Sequence, residues 1–590
     1  MEPWVYAATV HPQANGNATD KLLSLWPGDR TIPHPHLSTA EHRIPVGLSH
    51  DHDLVQRIEK LNAIGIALSS EKDMPRLLEM ILVGAKVITR ADGGTLYTVN
   101  DDKKLTFEIV RTSSLEISMG GTSKRRVLFK PISLYHRDGR PNNERVVAYS
   151  ALNNETVNLE DVYNENDTTF DFSGPHLFDA RMNYRTKSML AVPITNHDGK
   201  TIGVLQLINK QDTHSSEPVS FDEDDIHLVQ SLASQAAIAL TNKRLIDDLK
   251  ALFDSFIKII ATVIDEKSPY TGGHCRRVPE LTLALANAAS NDEHRLKDFT
   301  LSEQEHYNLE VASWLHDCGK LATPVHVVDK ATKLETIYDR IHLIDTRFEV
   351  LKRDAEIHKL KSLLNAENDG RSTEEIEAAY LKEIEQLDVE RDFIRQCNKG
   401  VESMAPDIKE CVKKIATRTW RNSDGVDTPF LSEDELNNLL IHYGTLNDQE
   451  RKIINDHIVI TNKMLASMQF PQEMASVPEY AGGHHERMDG KGYPLGLTRE
   501  QMSVPARTMA IADIFEALTA KDRPYKEAKK LSESLSILGK MKMRHHIDPD
   551  LFDIFIHEKI YLPYAREYMD ADKIDIEEPF EIPGYPFDMP

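Results

Sequence analysis

The chain of 590 residues is too long for one ordinary hydrophobic core, and its length predicts about three or four domains. Its composition, 40% hydrophobic and 28% charged, is typical of a globular protein and includes no apolar run near the roughly 18 residues that cross a membrane. The formal net charge of −24 argues against unspecific binding to nucleic-acid polymers, so a phosphate substrate would need locally placed cations.

Two further features predict a cytoplasmic protein. The N-terminus lacks a basic start followed by an apolar stretch, and therefore shows no secretory signal. The four cysteines include no Cys-x-x-Cys pair, which suits a reducing compartment.

Residues 1–52 are rich in Pro, Gly and His and show no sustained period, which predicts an irregular N-terminal extension. The histidines could capture a metal, but a solvated tail is the favoured interpretation.

Residues 53–225 mix helical and strand patterns. Helical apolar spacing occurs in "LVQRIEKLNAIGIALSS" and "MPRLLEMILVGAKVI", whereas "GGTLYTVN", "KLTFEIVR" and "SMLAVPITNHDGKTIGVLQLINK" are typical of strands. The last stretch predicts a hairpin that turns at "NHDGK". This mixture predicts an α/β sensor domain with a sheet covered on one face.

This region resembles a GAF domain, which implies an antiparallel sheet with flanking helices. Besides the hairpin, Asn209, Lys210, Phe221 and Asp225 resemble the Asn-Lys…Phe…Asp-Glu signature of cyclic-nucleotide-binding GAF domains, although Ile226 stands where that signature has Glu. The resemblance implies that Lys210 and Asp225 pair to hold a lid, and that a cyclic nucleotide is a candidate ligand. A GAF fold that serves only as a dimer scaffold is the alternative.

Residues 226–264 predict a long signalling helix with a coiled-coil seam. Asn242 fills the one polar position of that seam, where it would fix register at some cost in stability. The alternative is a helix buried within one chain, but a parallel homodimer is favoured. The apolar seam positions are Ile238, Leu245, Leu249, Leu252, Phe256, Ile259 and Val263.

Residues 265–575 are mostly helical by pattern, with a charged helical hairpin inserted at about 335–440 and a tail at 576–590. The insertion's charges favour a solvated face, and a lid or a dimer contact is the alternative.

The segment "ASWLHDCGKLATP" carries a candidate metal site. Imidazole and carboxylate together suit Fe, Mn or Zn. Side chains of neighbouring residues on a helix diverge by roughly 100°, so His316 and Asp317 could face two sides of a metal cluster. Asp317 could bridge two ions there. Lys320, one turn on, could meet a phosphate oxygen. Further candidate ligands stand in or beside helical patterns: His274, His457, His484, His485 and Asp513.

Residues 265 to about 570 resemble HD-GYP phosphodiesterases, a branch of the HD metal-dependent phosphohydrolases. "HHERMDGKGYP" matches that family's His-His-Glu-x-x-Asp-Gly-x-Gly-Tyr-Pro motif, and "GHCRRV", "HDCGK" and "RPYK" match its other motifs. The resemblance implies an all-α bundle that binds two or three metals, usually iron or manganese, and hydrolyses cyclic di-GMP.

The family's roles are carried over by position. Asp317 and Lys320 become the catalytic residues, with Asp317 bridging the metals and Lys320 holding the scissile phosphate. The implied metal ligands are His274, His316, Asp317, His457, His484, His485 and Asp513. The implied substrate-binding residues are Lys320, Arg277, Tyr493, Gly490, Gly492, Arg523 and Lys526.

Three departures from the family pattern bear on this assignment. Members with three metals have a Glu four residues before the first histidine, where this chain has Tyr270. A binuclear centre and the product pGpG are therefore favoured over a trinuclear centre and the product GMP. Glu266, one turn earlier, could still reach the metal site. An extra residue precedes "RPYK", which makes Arg523 and Lys526 less secure. The insertion separates His316 from the next ligand, for which His326 and His442 compete with the favoured His457.

The resemblance predicts an enzyme that hydrolyses cyclic di-GMP under the control of the GAF domain. Paired metals lower the pKa of a bridging water, so no protein nucleophile is needed. Two alternatives stay open. One is hydrolysis of another cyclic dinucleotide such as cyclic GMP-AMP, and the other is a catalytically silent receptor acting through protein partners.

Overall fold

The computed structural model describes residues 46–164, 169–267, 273–365, 371–401, 403–521, 528–576 and 581–585. The chain divides into two compact units, Met1–Lys250 and Ala251–Pro590, each of which is described by itself. Most of the expected N-terminal extension lies outside the described residues, but the chain is already helical from Val46, earlier than the expected boundary at residue 53.

The first unit is built on an antiparallel sheet. Its strands follow the order β3-β2-β1-β7-β6-β5, with β4 paired to β2 and β8 paired to β7. The predicted hairpin is present as β6 and β7, which pair antiparallel around residues 196–200. The strands are β1 Ala91–Val99, β2 Lys104–Thr112, β3 Ile117–Gly120, β4 Ile132–Ser133, β5 Val157–Leu159, β6 Met189–Thr195, β7 Thr201–Gln211 and β8 Pro218–Val219.

Helices cover the sheet on both faces, so the expectation of one covered face was wrong. One core joins helices α1, α2 and the start of α5 to strand residues such as Leu96 and Leu205. A second core joins α3 to residues of the opposite face, including Tyr97 and Val204. Strand β6 is buried on both sides, a pattern that strict alternation does not reveal. The helices are α1 Val46–Ser70, α2 Met74–Thr89, α3 Val146–Asn153, α4 Ser173–Met182 and α5 Glu223–Lys267.

Helix α5 is 45 residues long and contains the predicted seam. In the single chain the seven apolar seam side chains are all exposed, from Val263 at 49% to Leu249 at 67%. The opposite side of its last turns is buried through Ile257, Ala261 and Ile264 in a core of the second unit.

The second unit is almost entirely helical. Its main core joins α6, α16, α17 and α18, and includes Ile582 of the expected C-terminal tail. Its helices are α6 His274–Ser290, α7 Glu303–Leu315, α8 Val325–Val328, α9 Ile341–Leu364, α10 Thr373–Cys397, α11 Pro406–Ala416, α12 Glu433–Leu439, α13 Asp448–Asn455, α14 His457–Ser467, α15 Val477–Gly482, α16 Val504–Thr519, α17 Leu531–Met543, α18 Pro549–His557 and α19 Tyr561–Tyr568, with 3-10 turns at Cys318–Ala322, Gln472–Met474, Arg499–Gln501 and Ala571–Lys573.

The insertion contains more than the expected hairpin. Helices α9 and α10 run antiparallel, with Lys352 paired to Asp388 and Arg395 to Asp345. The region also has its own core and a two-stranded sheet, β9 Thr419–Arg421 and β10 Asp427–Pro429, which the charge pattern did not indicate. Within the described residues, no helix is both long and apolar enough to cross a membrane.

Candidate metal centre

The His316-Asp317 pair stands where α7 gives way to the 3-10 turn. His316 caps the helix, and Asp317 begins the turn that leads to Lys320. Gly319 lets this turn pack directly on α14, because a Cβ there would lie 1.9 Å from the carbonyl oxygen of His457. The backbone N–H of Gly319 also donates to Thr461 Oγ1 at 2.9 Å. This close packing places Asp317 Oδ1 3.2 Å from His457 Nε2.

Three histidines have their ring orientation fixed by the backbone. The Nδ1 atoms of His316, His457 and His484 lie 2.7, 2.5 and 2.7 Å from the carbonyl oxygens of the residues three positions earlier. Since a carbonyl only accepts, each Nδ1 carries a proton, so in the neutral ring Nε2 is the nitrogen with the lone pair. The three rings therefore present metal-binding nitrogens in the tautomer that a ligand needs.

The donor atoms of these side chains converge. Three groups each place their ligand atoms within 4.8 Å of one another: His457-His484-His485, His274-His316-Asp513 and His316-Asp317-His484. His316 and His484 each belong to two groups, so the groups form one connected cluster. All seven predicted ligands lie in this cluster, which suits neighbouring cations more than a single ion.

The cluster contains buried atoms that lack partners. His274 Nε2, His316 Nε2 and Asp317 Oδ1 are buried and make no well-directed hydrogen bond with any part of the chain that the structure describes, although the two nitrogens lie 3.2 and 3.3 Å from Asp317 Oδ2. An unsatisfied buried polar atom is costly and calls for a specific explanation. Imidazole nitrogens and carboxylate oxygens aimed at one space are the donor set of Fe, Mn or Zn. The residues present therefore fit a metal centre.

The titration of the cluster agrees with this fit at His484, His485 and Asp317. At His274, burial lowers the pKa, but the charge of Glu516 outweighs it and raises the pKa well above its usual range. Burial, together with neighbouring His485 and His316, holds the pKa of His484 well below its usual range, and burial lowers that of His485 to about 4. Although burial opposes it, Lys320 and the adjacent histidines hold the pKa of Asp317 well below its usual range. Neutral imidazole and ionised carboxylate are the forms that bind metal.

Glu516 is a site residue that the sequence motifs did not indicate. Its Oε2 lies 2.5 Å from His274 Nδ1, and its Oε1 accepts from Arg277 Nε at 2.8 Å. It stands three residues after Asp513 on α16, a spacing that places both carboxylates on one helix face and could have revealed it. Arg277, expected to bind substrate, is thus engaged with a buried carboxylate that orients His274.

Lys320 lies over the cluster, with its ammonium group in contact with Asp317. Burial lowers the pKa of Lys320, but the charges of Asp317 and Asp513 outweigh it and raise the pKa above its ordinary value. The side chain as a whole is 23% exposed, and its ammonium group contacts the cluster through Asp317.

The segment after the paired histidines forms a compact loop beside the cluster. The Tyr493 ring stacks on His485, with centroids 4.9 Å apart and planes at 18°. Buried Glu486, a second residue without an assigned role, accepts from the backbone N–H groups of residues 495–497 at 2.7, 3.2 and 2.9 Å. Gly490 has a φ of 72°, and a Cβ on Gly492 would lie 2.4 Å from the backbone nitrogen of Arg487. Both glycines are required by the loop's backbone.

The competing candidates belong to none of the three ligand groups found among the described residues. His326, His442 and Glu266 are exposed, whereas His457 is buried within the cluster. Tyr270, Arg523 and Lys526 fall outside the described residues, so the expectations attached to them stay predictions.

The GAF motif residues have well-defined partners in the first unit. Asp225 is buried and contacts Lys210 and Arg57, and it accepts from the backbone of Asp222 at 3.0 Å. Asn209 has a φ of 53°; its side-chain amide donates to Tyr184 Oη and to the Arg185 carbonyl oxygen, both at 2.8 Å. Phe221 is buried in the core between sheet and helices.

The first unit also contains a cavity of about 160 Å³ on the α3 side of the sheet. Its lining is mainly apolar and aromatic, including Tyr97, Phe107 and Phe172. The Tyr97 hydroxyl within it donates to Gln206 Oε1 at 2.8 Å.

Comparison with known protein families identifies two regions. Residues 73–240 match the GAF domain family, and residues 433–551 match the HD domain family. Four predicted metal ligands, His457, His484, His485 and Asp513, lie within the HD match. His274, His316 and Asp317 precede it, on the other side of the insertion.

Several curated relatives match part of the chain. A 3'3'-cGAMP-specific phosphodiesterase of Vibrio cholerae serotype O1 is 39% identical over 113 residues, which is 19% of this chain and 25% of that protein. A cyclic di-GMP phosphodiesterase of Pseudomonas aeruginosa is 36% identical over 113 residues, 19% of this chain and 26% of that protein. A cyclic di-GMP phosphodiesterase response regulator of Xanthomonas campestris is 36% identical over 126 residues, 21% and 32% respectively.

The chain thus spans about a quarter to a third of the length of these relatives. Among solved structures, the GAF domain of an Acinetobacter phosphoenolpyruvate-protein phosphotransferase matches 33% of this chain and 98% of its own, with 16% identity and a TM-score of 0.24.

Proposed function

We propose that the chain is a metal-dependent phosphodiesterase that hydrolyses cyclic di-GMP to linear pGpG. The observation that carries the proposal is the connected cluster of histidines and aspartates, three of whose buried donor atoms make no hydrogen bond within the described residues. Three relatives that match part of the chain are named as cyclic dinucleotide phosphodiesterases, which supports the same class of substrate.

The proposed centre is binuclear and contains iron or manganese. Its ligands would be His274, His316, Asp317, His457, His484, His485 and Asp513, with Asp317 shared between the ions. When bound, the metals would lower the pKa of water towards neutrality and offset the charge of the phosphate. Glu266, the residue that could have supported a third ion, has an exposed side chain at the end of α5.

The chain's own residues would do the remaining work. Lys320 would stabilise the negative charge that develops on the phosphate, since its ammonium group contacts the cluster at Asp317. Glu516 would keep His274 in position through Nδ1. Tyr493, fixed against His485, would form a wall of the substrate site, and Gly490 and Gly492 would give the loop its required backbone.

A second substrate, cyclic GMP-AMP, is favoured by one observation. Two relatives from Vibrio cholerae that each match about a fifth of the chain are named 3'3'-cGAMP-specific, at 39% and 34% identity. A catalytically silent receptor would be expected to lose ligands, and this chain has all seven.

Regulation is proposed to act through the first unit and helix α5. The exposed seam of α5 would pair with a second copy in a parallel dimer, because a stripe of seven exposed apolar side chains is typical of an interaction face. The cavity of about 160 Å³ is smaller than the roughly 300–1,000 Å³ of drug-sized ligand sites. A cyclic nucleotide would have to open it, whereas a smaller apolar ligand would fit.

The test is anaerobic purification of the full chain with metal analysis, followed by chromatography of the products formed from cyclic di-GMP and cyclic GMP-AMP. We expect about two equivalents of iron or manganese and accumulation of pGpG. Protein that binds metal but converts neither dinucleotide would contradict the enzymatic function and favour the receptor.

A further inference from the structure

An open groove of about 440 Å³ is lined in part by Tyr493, whose ring stacks on His485 of the histidine cluster. One wall is formed by side chains of α13 and the start of α14, and the other by Tyr493 and Pro494. This volume lies within the range of about 300–1,000 Å³ that ligand sites usually occupy. The groove is therefore large enough to be a binding site.

Both walls of the groove lead to the metal-ligand cluster. The Tyr493 ring stacks on His485, whose Nε2 lies 3.1 Å from His457 Nε2. On the other wall, Asp456 immediately precedes His457, the first residue of α14. A molecule bound in the groove would therefore extend directly from the cluster.

The groove is lined by two carboxylates, Asp448 and Asp456, and by two cations with different surroundings. Arg451 is already engaged, because its guanidinium donates to the carbonyl oxygens of Tyr443 and Leu446 at 3.0 and 3.3 Å and lies over the Tyr443 ring. The side chain of Lys452 is exposed, and its ammonium group makes no ion pair or hydrogen bond with any residue in the described ranges. It is the groove's available partner for an anion, and lysine meets phosphate as a mobile point charge.

The proposed substrate contains a second phosphate that must bind away from the metal cluster. A cyclic dinucleotide has two phosphodiesters, and only one can lie at the metal cluster during a given cleavage. Resting on the proposed function above, we propose that the groove binds the nucleotide that is not being cleaved, with Lys452 pairing with the non-scissile phosphate. Lys452 is then a specificity-determining residue that favours a cyclic dinucleotide over a simple phosphodiester.

The test compares two substrates in the metal-loaded full chain. Lys452→Ala should raise KM for cyclic di-GMP by about tenfold or more, as expected for loss of a charged contact, with kcat and metal content unchanged. Its turnover of bis(p-nitrophenyl) phosphate, which has no second phosphate, should match that of the unaltered protein. Lys452→Arg should restore most of the affinity. Lys463→Ala, at an exposed lysine of α14 outside the groove, is the matched control.

An unchanged KM for cyclic di-GMP in Lys452→Ala, or an equal loss with both substrates, would overturn the inference while leaving the proposed function intact. If the unaltered protein hydrolyses no dinucleotide, calorimetric titration with cyclic di-GMP decides. Weaker binding by Lys452→Ala alone would support the groove in a receptor, and equal binding would reject it. Failure of the unaltered protein to hydrolyse or bind any cyclic dinucleotide would overturn both proposals.

Discussion

Asp225 in the first unit and Asp317 in the second are both buried aspartates in contact with a lysine, but their surroundings differ. Around Asp225, the cations of Lys210 and Arg57 and the backbone N–H of Asp222 occupy both carboxylate oxygens. Around Asp317, Lys320 occupies one oxygen, while the other is buried, faces the imidazole of His457 and makes no hydrogen bond.

The difference separates a structural ion pair from a ligand site. Charged partners complete the surroundings of Asp225, so its geometry needs no further group. One oxygen of Asp317 and one nitrogen of each of two neighbouring histidines make no hydrogen bond within the described residues. The same set of cations would bind all three atoms. The spacing of a Lys and an Asp in a sequence does not distinguish these cases. The presence or absence of hydrogen-bond partners for the buried polar atoms does.

The largest effect is expected from replacing His316 and Asp317 together by Ala. Hydrolysis of cyclic dinucleotides should fall to background and bound metal should decrease, because both side chains belong to the overlapping ligand groups. Metal analysis and product chromatography are the measurements. His326→Ala, at an exposed histidine ten residues after His316, should change neither quantity. Retained turnover in the double variant would remove the pair from the site.

Asp225→Asn should affect stability and leave the metal centre intact. Removing the carboxylate leaves two cations near a buried position, which costs about 3 kcal/mol or more for a buried ion pair. Hydrogen exchange should show faster opening of amides in the sheet of the first unit, with unchanged exchange in the second. Loss of metal from this variant would contradict the contrast between the two aspartates.

Lys320→Ala should lower kcat by about 100- to 1000-fold, the usual cost of removing one group that stabilises transition-state charge. Metal content should stay unchanged, since Lys320 contacts Asp317 but offers no ligand to the centre. Steady-state kinetics beside metal analysis separates the two effects. A decrease in bound metal would instead make Lys320 a structural partner of the carboxylate.

The motifs indicated most of the candidate site, and the structure brings all seven predicted ligands together. Glu516 and Glu486 were missed because each acts through a neighbour: one orients His274, and the other holds backbone N–H groups of the loop. The second covered face of the sheet was missed because α3 is contributed by a segment distant in sequence from the strands it covers. The hydrophobic periodicity of an element indicates which of its side chains are buried. It does not indicate which distant element packs against them.

The smallest effect is expected from Asn242→Leu, which tests whether a second copy of the chain covers the exposed apolar side chains of α5. The seam of α5 has seven exposed apolar residues and one exposed polar residue, so a second copy would bury Asn242 beside its own counterpart. Leucine there should strengthen the dimer by about 1 kcal/mol or change the number of associated chains, because the cost of burying an amide is removed. Sedimentation equilibrium measures both quantities. Arg244→Leu, two residues away and off the seam, should leave association unchanged, and an identical profile for both variants would show that α5 does not pair along this stripe.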